Sequence, residues 1–185
     1  MLAVIQKVSG GILAVEKALL IFLAAAVTGL ILLNVVTRSA DYALYWVDEL
    51  AIYSMIWMVM IGASLIVRLR KGIAVTILDE ILPENGKVAM ALVVDLMVLA
   101  FSITLIWLCY IWYDPITLIS VDFDLAAFSA DSFNFIYEEP TNTLGISKFW
   151  IWMIVPVTAI TMTVHALTNF MERFLRLPSA APELI

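Results

Sequence analysis

Two titratable side chains stand inside long apolar stretches of this 185-residue chain, Asp95 and His165. Ionisable groups in such stretches are costly and are kept for a partner or a function. If both stretches cross a membrane in opposite directions, Asp95 lies about seven residues, roughly 10 Å, from the entry near Val88. His165 then lies about eight residues, roughly 12 Å, from the exit near Arg173. The shared depth predicts a hydrogen bond or ion pair clamping the two stretches, with Arg68 as a rival partner for Asp95. A contact to a partner subunit is the second reading and a proton relay the third. A relay needs further titratable groups, and beyond Asp95 the stretch offers only Ser102, Thr104 and Cys109.

Arg38 and Glu49 form a second constellation. They bracket a short polar turn between two apolar runs, where an unpaired charge is costly and a paired one less so. They are expected to pair and lock a hairpin, or to meet a partner subunit. Trp46, Tyr53, Trp57, Met60 and Ser64 recur at helical spacing and share one face. Gly62 and Ala63 beside them would let another backbone come close. The basic flank Arg68, Arg70 and Lys71, with Lys87 nearby, is suited to anionic lipid headgroups or to fixing orientation alone.

Other chemistry lacks its residues. One His cannot supply two axial imidazoles to a membrane haem. One Cys, Cys109, in an apolar run reads as an inert thiol, and no Cys/His cluster offers a metal site. No Gly-rich phosphate loop and no nucleophile–base–acid set is apparent. Neither an enzyme nor a cofactor-binding protein is indicated. A transport path usually needs polar groups at mid-membrane, and here these are few. The residues therefore suit a helper without a catalytic site.

The elements that must position these residues are membrane helices. Apolar residues make up 64% of the chain, charged ones 14%, and mean hydropathy is +1.04; an ordinary soluble domain is about half apolar and a quarter charged. The net charge of −6 does not suit nucleic acid. The expected fold is all-α: one domain over 1–185 with four spans, at about 12–37, 47–67, 88–113 and 149–172. Met1 to Lys17 reads as a leader and Ala18 to Thr37 as a retained apolar run. Gly72 to Pro83 is too short to cross and reads as an interfacial helix between spans two and three. Asp114-Pro115 ends span three. Pro156 is placed to kink span four, and Pro178 and Pro182 mark a disordered tail.

Eight of the ten Lys and Arg residues fall on one side of this arrangement and only Arg38 and Lys148 on the other. The positive-inside rule then puts both termini in the cytoplasm. Trp46, Trp107, Trp112, Trp150 and Trp152 gather at the opposite ends of the spans, as interfacial aromatics do. The outer segment 114–148 carries six acids, one Lys and many large apolar residues. It reads as a segment lying on the membrane or packed on the bundle, or as a docking surface for a partner.

Span two carries a family resemblance. Arg38, Trp46, Asp48-Glu49, Tyr53, Trp57 and Gly62-Ala63, in that order, resemble the small membrane subunit (DctQ type) of TRAP transporters, the tripartite ATP-independent periplasmic family. Arg68, Arg70-Lys71, Gly72-Ile73-Ala74-Val75 and Leu82-Pro83 continue the pattern, with Gly72 where the family tends to have His. Before span four, Thr141 or Thr143, Leu144-Gly145, Trp150 and Pro156 match as well. The resemblance covers nearly the whole chain except 121–139, which reads as an insertion. It implies a non-catalytic scaffold in a bacterial inner membrane. The partners would be a large multi-span subunit with substrate and sodium sites, a periplasmic binding protein delivering an organic acid anion, and phospholipids. The readings beside it are a membrane anchor of a redox enzyme and a small self-sufficient exporter or channel.

Overall fold

The computed structural model describes residues 2–71 and 83–176. The expected interfacial helix and the expected disordered tail lie outside the described residues. Four long helices dominate: α1 (Leu2–Ser39), α2 (Tyr45–Leu69), α3 (Glu84–Tyr113) and α7 (Ile154–Arg176). Three short ones, α4 (Pro115–Ser120), α5 (Leu125–Ser132) and α6 (Phe149–Trp152), lie between α3 and α7. Among the described residues, four helical segments are long and apolar enough to cross a membrane. Among the described residues there is no strand, only an isolated bridge between Pro140 and Ser147.

The helix ends follow local chemistry. Asp114 takes a left-handed conformation (φ 37°) that closes α3, and its carboxylate then caps α4 by accepting from Thr117 N at 3.2 Å. Pro115 fills the first position of α4, where a missing N–H costs nothing. Pro156 has no N–H to offer the Trp152 carbonyl four residues back. The helix is accordingly interrupted at Met153, between α6 and α7.

The expected leader is helical and continuous with the first span. α1 runs unbroken from Leu2, roughly 57 Å at 1.5 Å per residue, well beyond a ~30 Å hydrocarbon core. Its first turns stay helical because Gln6, Ser9 and Glu16 all find partners on α7.

α7 is the axis of the bundle, packing on α1, α2 and α3, while α1 also packs along α2. Its buried stripe includes Ile154, Thr158, Ala159, His165, Ala166, Thr168 and Asn169. Alanine and threonine there let neighbouring helices approach closely, as small residues do in membranes. Leu23, Ile61 and Ile154 form the buried apolar centre between α1, α2 and α7. Outward, α1 and α3 expose large apolar side chains such as Ile21, Phe22, Met97 and Phe101. The described residues leave these surfaces uncovered.

Candidate functional site

At the end of the bundle that carries the 114–148 segment, Glu49 sits just past the first turn of α2 and is buried. Its carboxylate accepts from Asn142 N (2.7 Å), Thr143 N (2.6 Å), Thr143 Oγ1 (2.5 Å) and Leu144 N (3.1 Å). Tyr53 OH, one turn further along α2, donates at 2.9 Å. The cradle is a tight turn. Thr141 N reaches Ile146 O at 2.8 Å, and Gly145 supplies the positive φ of 71° that closes it. Successive backbone N–H groups converging on one point make an anion nest, and here the anion is the chain's own.

The expected Arg38–Glu49 pair does not form. Arg38 Nη2 instead meets Asp48 Oδ2 at 2.5 Å, and Asn34 donates to the same Asp48 and accepts from Arg38 Nε at 3.0 Å. Consecutive residues on a helix diverge by about 100°, so Asp48 and Glu49 cannot serve the same partner. Asp48 meets α1 and Glu49 meets the turn before α6.

At the opposite end the expected Asp95–His165 clamp is likewise replaced. His165 is fully buried between two α1 residues: Nδ1 lies 2.7 Å from Ser9 Oγ and Nε2 lies 3.1 Å from Glu16 Oε2. Asp95 Oδ2 accepts from Arg173 Nε at 2.6 Å and lies 3.7 Å from Arg70 Nη2. His165 faces α1, whereas Asp95 lies on α3 and is met by arginines from α7 and from the end of α2. Arg173 follows His165 by about two helical turns on α7, and its long stem lets the guanidinium reach Asp95. Arg68, the expected rival for Asp95, is engaged elsewhere. It donates to Asn169 Oδ1 (2.7 Å) and to both oxygens of Glu172 (3.1 Å each). Gln6 joins the same Glu172 at 3.0 Å, and Asn169 Nδ2 returns to Val67 O at 2.6 Å. One polar network thus ties α1, α2, α3 and α7 together at this end.

Ser9, His165 and Glu16 do stand in nucleophile–base–acid order, which the sequence did not suggest. Ser9 and His165 have no exposed surface, however, and Ser9 lies mid-helix, where the neighbouring N–H groups are committed to helical bonds. No substrate can reach the hydroxyl, so the arrangement acts as a helix clamp. Glu16 Oε1 and Thr158 Oγ1 are buried without a partner. Both residues line an apolar cavity of about 350 Å³ between α1, α2 and α7.

The remaining candidates divide. Trp57 Nε1 donates to Ile151 O at 2.9 Å, pinning α2 to α6, and Ser64 Oγ meets Thr161 Oγ1 of α7 at 2.9 Å. Trp46 is exposed. Gly62 has nothing within 4 Å of where a Cβ would be, so no helix among the described residues closes on it. Of the lipid-headgroup candidates, Arg68 and Arg70 are directed onto α7, Lys71 is exposed and Lys87 is half-buried. Among the described residues no group of His, Cys, Asp and Glu is placed to hold a metal.

Glu16, Ser9, Gln6, Asn34, Asn169 and Glu172 were not singled out by the sequence reading. The spacing of Gln6, Ser9 and Glu16, three and then seven residues, was an available signal that the first turns are helical and polar on one face.

This architecture defines a multi-pass membrane protein of four long helices, with its buried charges spent on joining those helices to one another. A family model described as "Tripartite ATP-independent periplasmic transporters, DctQ component" matches residues 27–176. The chain belongs to that family, and is thus a small membrane subunit of a TRAP transporter. No curated protein matches it. The match takes in the Glu49 cradle and the Asp95–Arg173 pair but begins after Ser9 and Glu16.

Proposed function

We propose that this subunit is a non-catalytic scaffold. It would enlarge and stiffen the stationary part of the large membrane subunit, which carries the substrate and sodium sites, during uptake of an organic acid anion delivered by a periplasmic binding protein. The observation that carries this reading is the set of buried polar pairs that join the elements of the bundle. Glu49, Glu16–His165, Asp95–Arg173 and Arg68–Glu172 each join one element to another, at both ends of the bundle. A carrier that must rearrange keeps polar groups at broken helices near mid-membrane. Here the polar groups lock the helices in place. Trp46, Gly62 and the exposed faces of α1 and α3 remain for the large subunit. Lys71, beside the end of α2, remains for phospholipid headgroups.

The proposed setting is the bacterial inner membrane, with both termini in the cytoplasm. The contacts of Gln6 with Glu172 put the two terminal segments at the same end of the bundle, and the excess of Lys and Arg there supports the cytoplasm for that end. Reconstitution tests the reading. This chain alone should give no flux. With the large subunit and the binding protein it should be required for sodium-dependent uptake. Flux through this chain alone, or undiminished uptake without it, would overturn the scaffold reading.

A further inference from the structure

The 114–148 segment packs into a cap rather than forming a loose loop. Phe128 is 1% exposed and its ring packs edge-on to Tyr137, centroids 5.2 Å apart. Tyr137 in turn packs on Tyr113 and Phe149, at the ends of α3 and α6. Two hydrogen bonds fix the height of this cap. Asn134 Nδ2 donates to Trp112 O at 2.6 Å and Tyr137 OH donates to Tyr113 O at 2.6 Å. Residues 134–137 therefore lie beside the last turn of α3, where the apolar span ends, and not out beyond it.

Phe133 and Phe135 flank Asn134. Phe133 is 82% exposed and Phe135 56%. Phe133 closes α5 in the left-handed region (φ 54°), a conformation that bulky residues rarely adopt. On α4, which starts directly after the span, Ile116 and Ile119 are one turn apart and both exposed, and Phe123 follows. Trp107, Trp112 and Trp150 are exposed on the neighbouring ends of α3 and α6. The phenylalanines thus add to the exposed apolar side chains at this end of the bundle.

The acids of the segment are mostly used elsewhere. Asp114 and Asp124 cap α4 and α5, Glu138 accepts from Ser129 Oγ at 2.7 Å, and Glu139 pairs with Lys148 at 2.5 Å. Asp122 and Asp131 are exposed and belong in water.

We propose that Phe133 and Phe135, with Ile116 and Ile119, insert into the leaflet at this end of the bundle. The cap is then an interfacial anchor that sets the depth and tilt of the subunit, independently of the large subunit. Rings at this level suit the headgroup boundary, and interfacial anchors with neighbouring helices fix how a span sits in a bilayer. The lipid it takes is an acyl-chain and glycerol region of any headgroup, since no free cation of the cap faces a phosphate among these residues.

The test is depth measurement by spin labels on the full chain carrying Cys109→Ala, in vesicles of phosphatidylethanolamine with phosphatidylglycerol. Labels would be placed singly through Phe133→Cys, Phe135→Cys, Asp122→Cys and Asp131→Cys, with Ile111→Cys as a lipid-facing reference. All five positions are exposed, so none removes a packing contact of the interior. Labels at 133 and 135 should match 111, accessible to oxygen and shielded from a water-soluble nickel chelate, with an accessibility ratio several-fold above that at 122 and 131. Equal chelate access at 133, 135 and 131 would overturn the anchor. So would shielding from both reagents that appears only when the large subunit or the binding protein is added, because the surface would then be a protein interface.

Discussion

Thr143 meets Glu49 twice, through its backbone N–H at 2.6 Å and its hydroxyl at 2.5 Å. These two residues belong to different stretches of the chain, 94 positions apart. Both stretches carry the resemblance to the family: the Trp46 to Glu49 start of α2 and the Thr-x-x-Leu-Gly run before α6. The structure makes them one unit. The carboxylate orders the turn, and the turn with Trp57 positions α6 against α2. Gly145 is needed because the turn closes through a positive φ.

Removing the charge should loosen that unit. Glu49→Gln keeps the shape but puts an N–H among the converging donors, replacing charge-assisted bonds with weaker ones. Thr143→Val removes only the hydroxyl bond. The melting temperature of the detergent-purified subunit should fall by several degrees for Glu49→Gln and less for Thr143→Val. Hydrogen exchange at residues 142–144 should rise in both. Unchanged exchange in Glu49→Gln would show that the nest is not what holds the turn.

The partners of Asp95 make a sharper numerical prediction. A double-mutant cycle on Asp95→Asn and Arg173→Gln should give a coupling of about 1–2 kcal/mol, in the upper range for polar pairs in membrane proteins. The same cycle with His165→Gln in place of Arg173→Gln should give less than about 0.5 kcal/mol, because the two residues share no partner. Reversal of that order, measured by unfolding in mixed micelles, would restore the clamp the sequence suggested.

How far the sequence could be read is clear from these sites. Span number followed from apolar run lengths, and the end of α3 followed from Asp114-Pro115. Which residues would be buried and paired was also legible for Glu49, Asp95 and His165, since charge in an apolar setting demands a partner. The identity of the partner was not. Depth can be counted along a helix at a fixed rise, but the face a residue presents to its neighbour depends on how three helices surround α7. Glu16 was missed for a related reason: its neighbour Lys17 made the stretch look like a polar leader. Only packing against His165 shows that Glu16 points inward while Lys17 remains exposed.

Glu16 gives its own prediction. Glu16→Gln retains a hydrogen-bonding group opposite His165 Nε2 and should change stability by less than about 1 kcal/mol. Glu16→Ala leaves a buried imidazole nitrogen without a partner and should cost about 1–3 kcal/mol. Thermal melting of the two variants decides it. Equal losses would mean that water replaces the carboxylate, and the cavity beside Glu16 would then be wet.

Tyr137 holds the cap to the end of α3. Tyr137→Phe keeps the ring contacts and loses the bond to Tyr113 O, a cost of about 1 kcal/mol. The phenol is also held above its ordinary value, first by burial and then by the nearby Asp114 carboxylate. The folded state therefore favours the neutral phenol. This contribution is complete below about pH 10 and is lost as pH rises through the elevated folded value. Limited proteolysis within 121–139 should speed up above that pH in the parent chain more than in Tyr137→Phe.

The sidedness of the bundle is the last prediction. Eight basic residues gather in the segments at the end where Gln6 meets Glu172, and two at the end where Arg38 meets Asp48. Orientation follows basic residues close to the span ends, so the end with Gln6 should stay in the cytoplasm. Arg68 and Arg70 are committed to α7 in the folded protein, but topology is set during insertion, when they are still free to be retained. In a background of Cys109→Ala, Asp131→Cys should be labelled by a membrane-impermeant maleimide on intact spheroplasts. Lys7→Cys should be labelled only after the membrane is opened. All three substituted positions sit outside the contacts that join the helices, apart from the apolar packing of Cys109, so labelling reports sidedness rather than misfolding. The reverse pattern would invert the subunit and put the cap, with its phenylalanines, on the cytoplasmic leaflet.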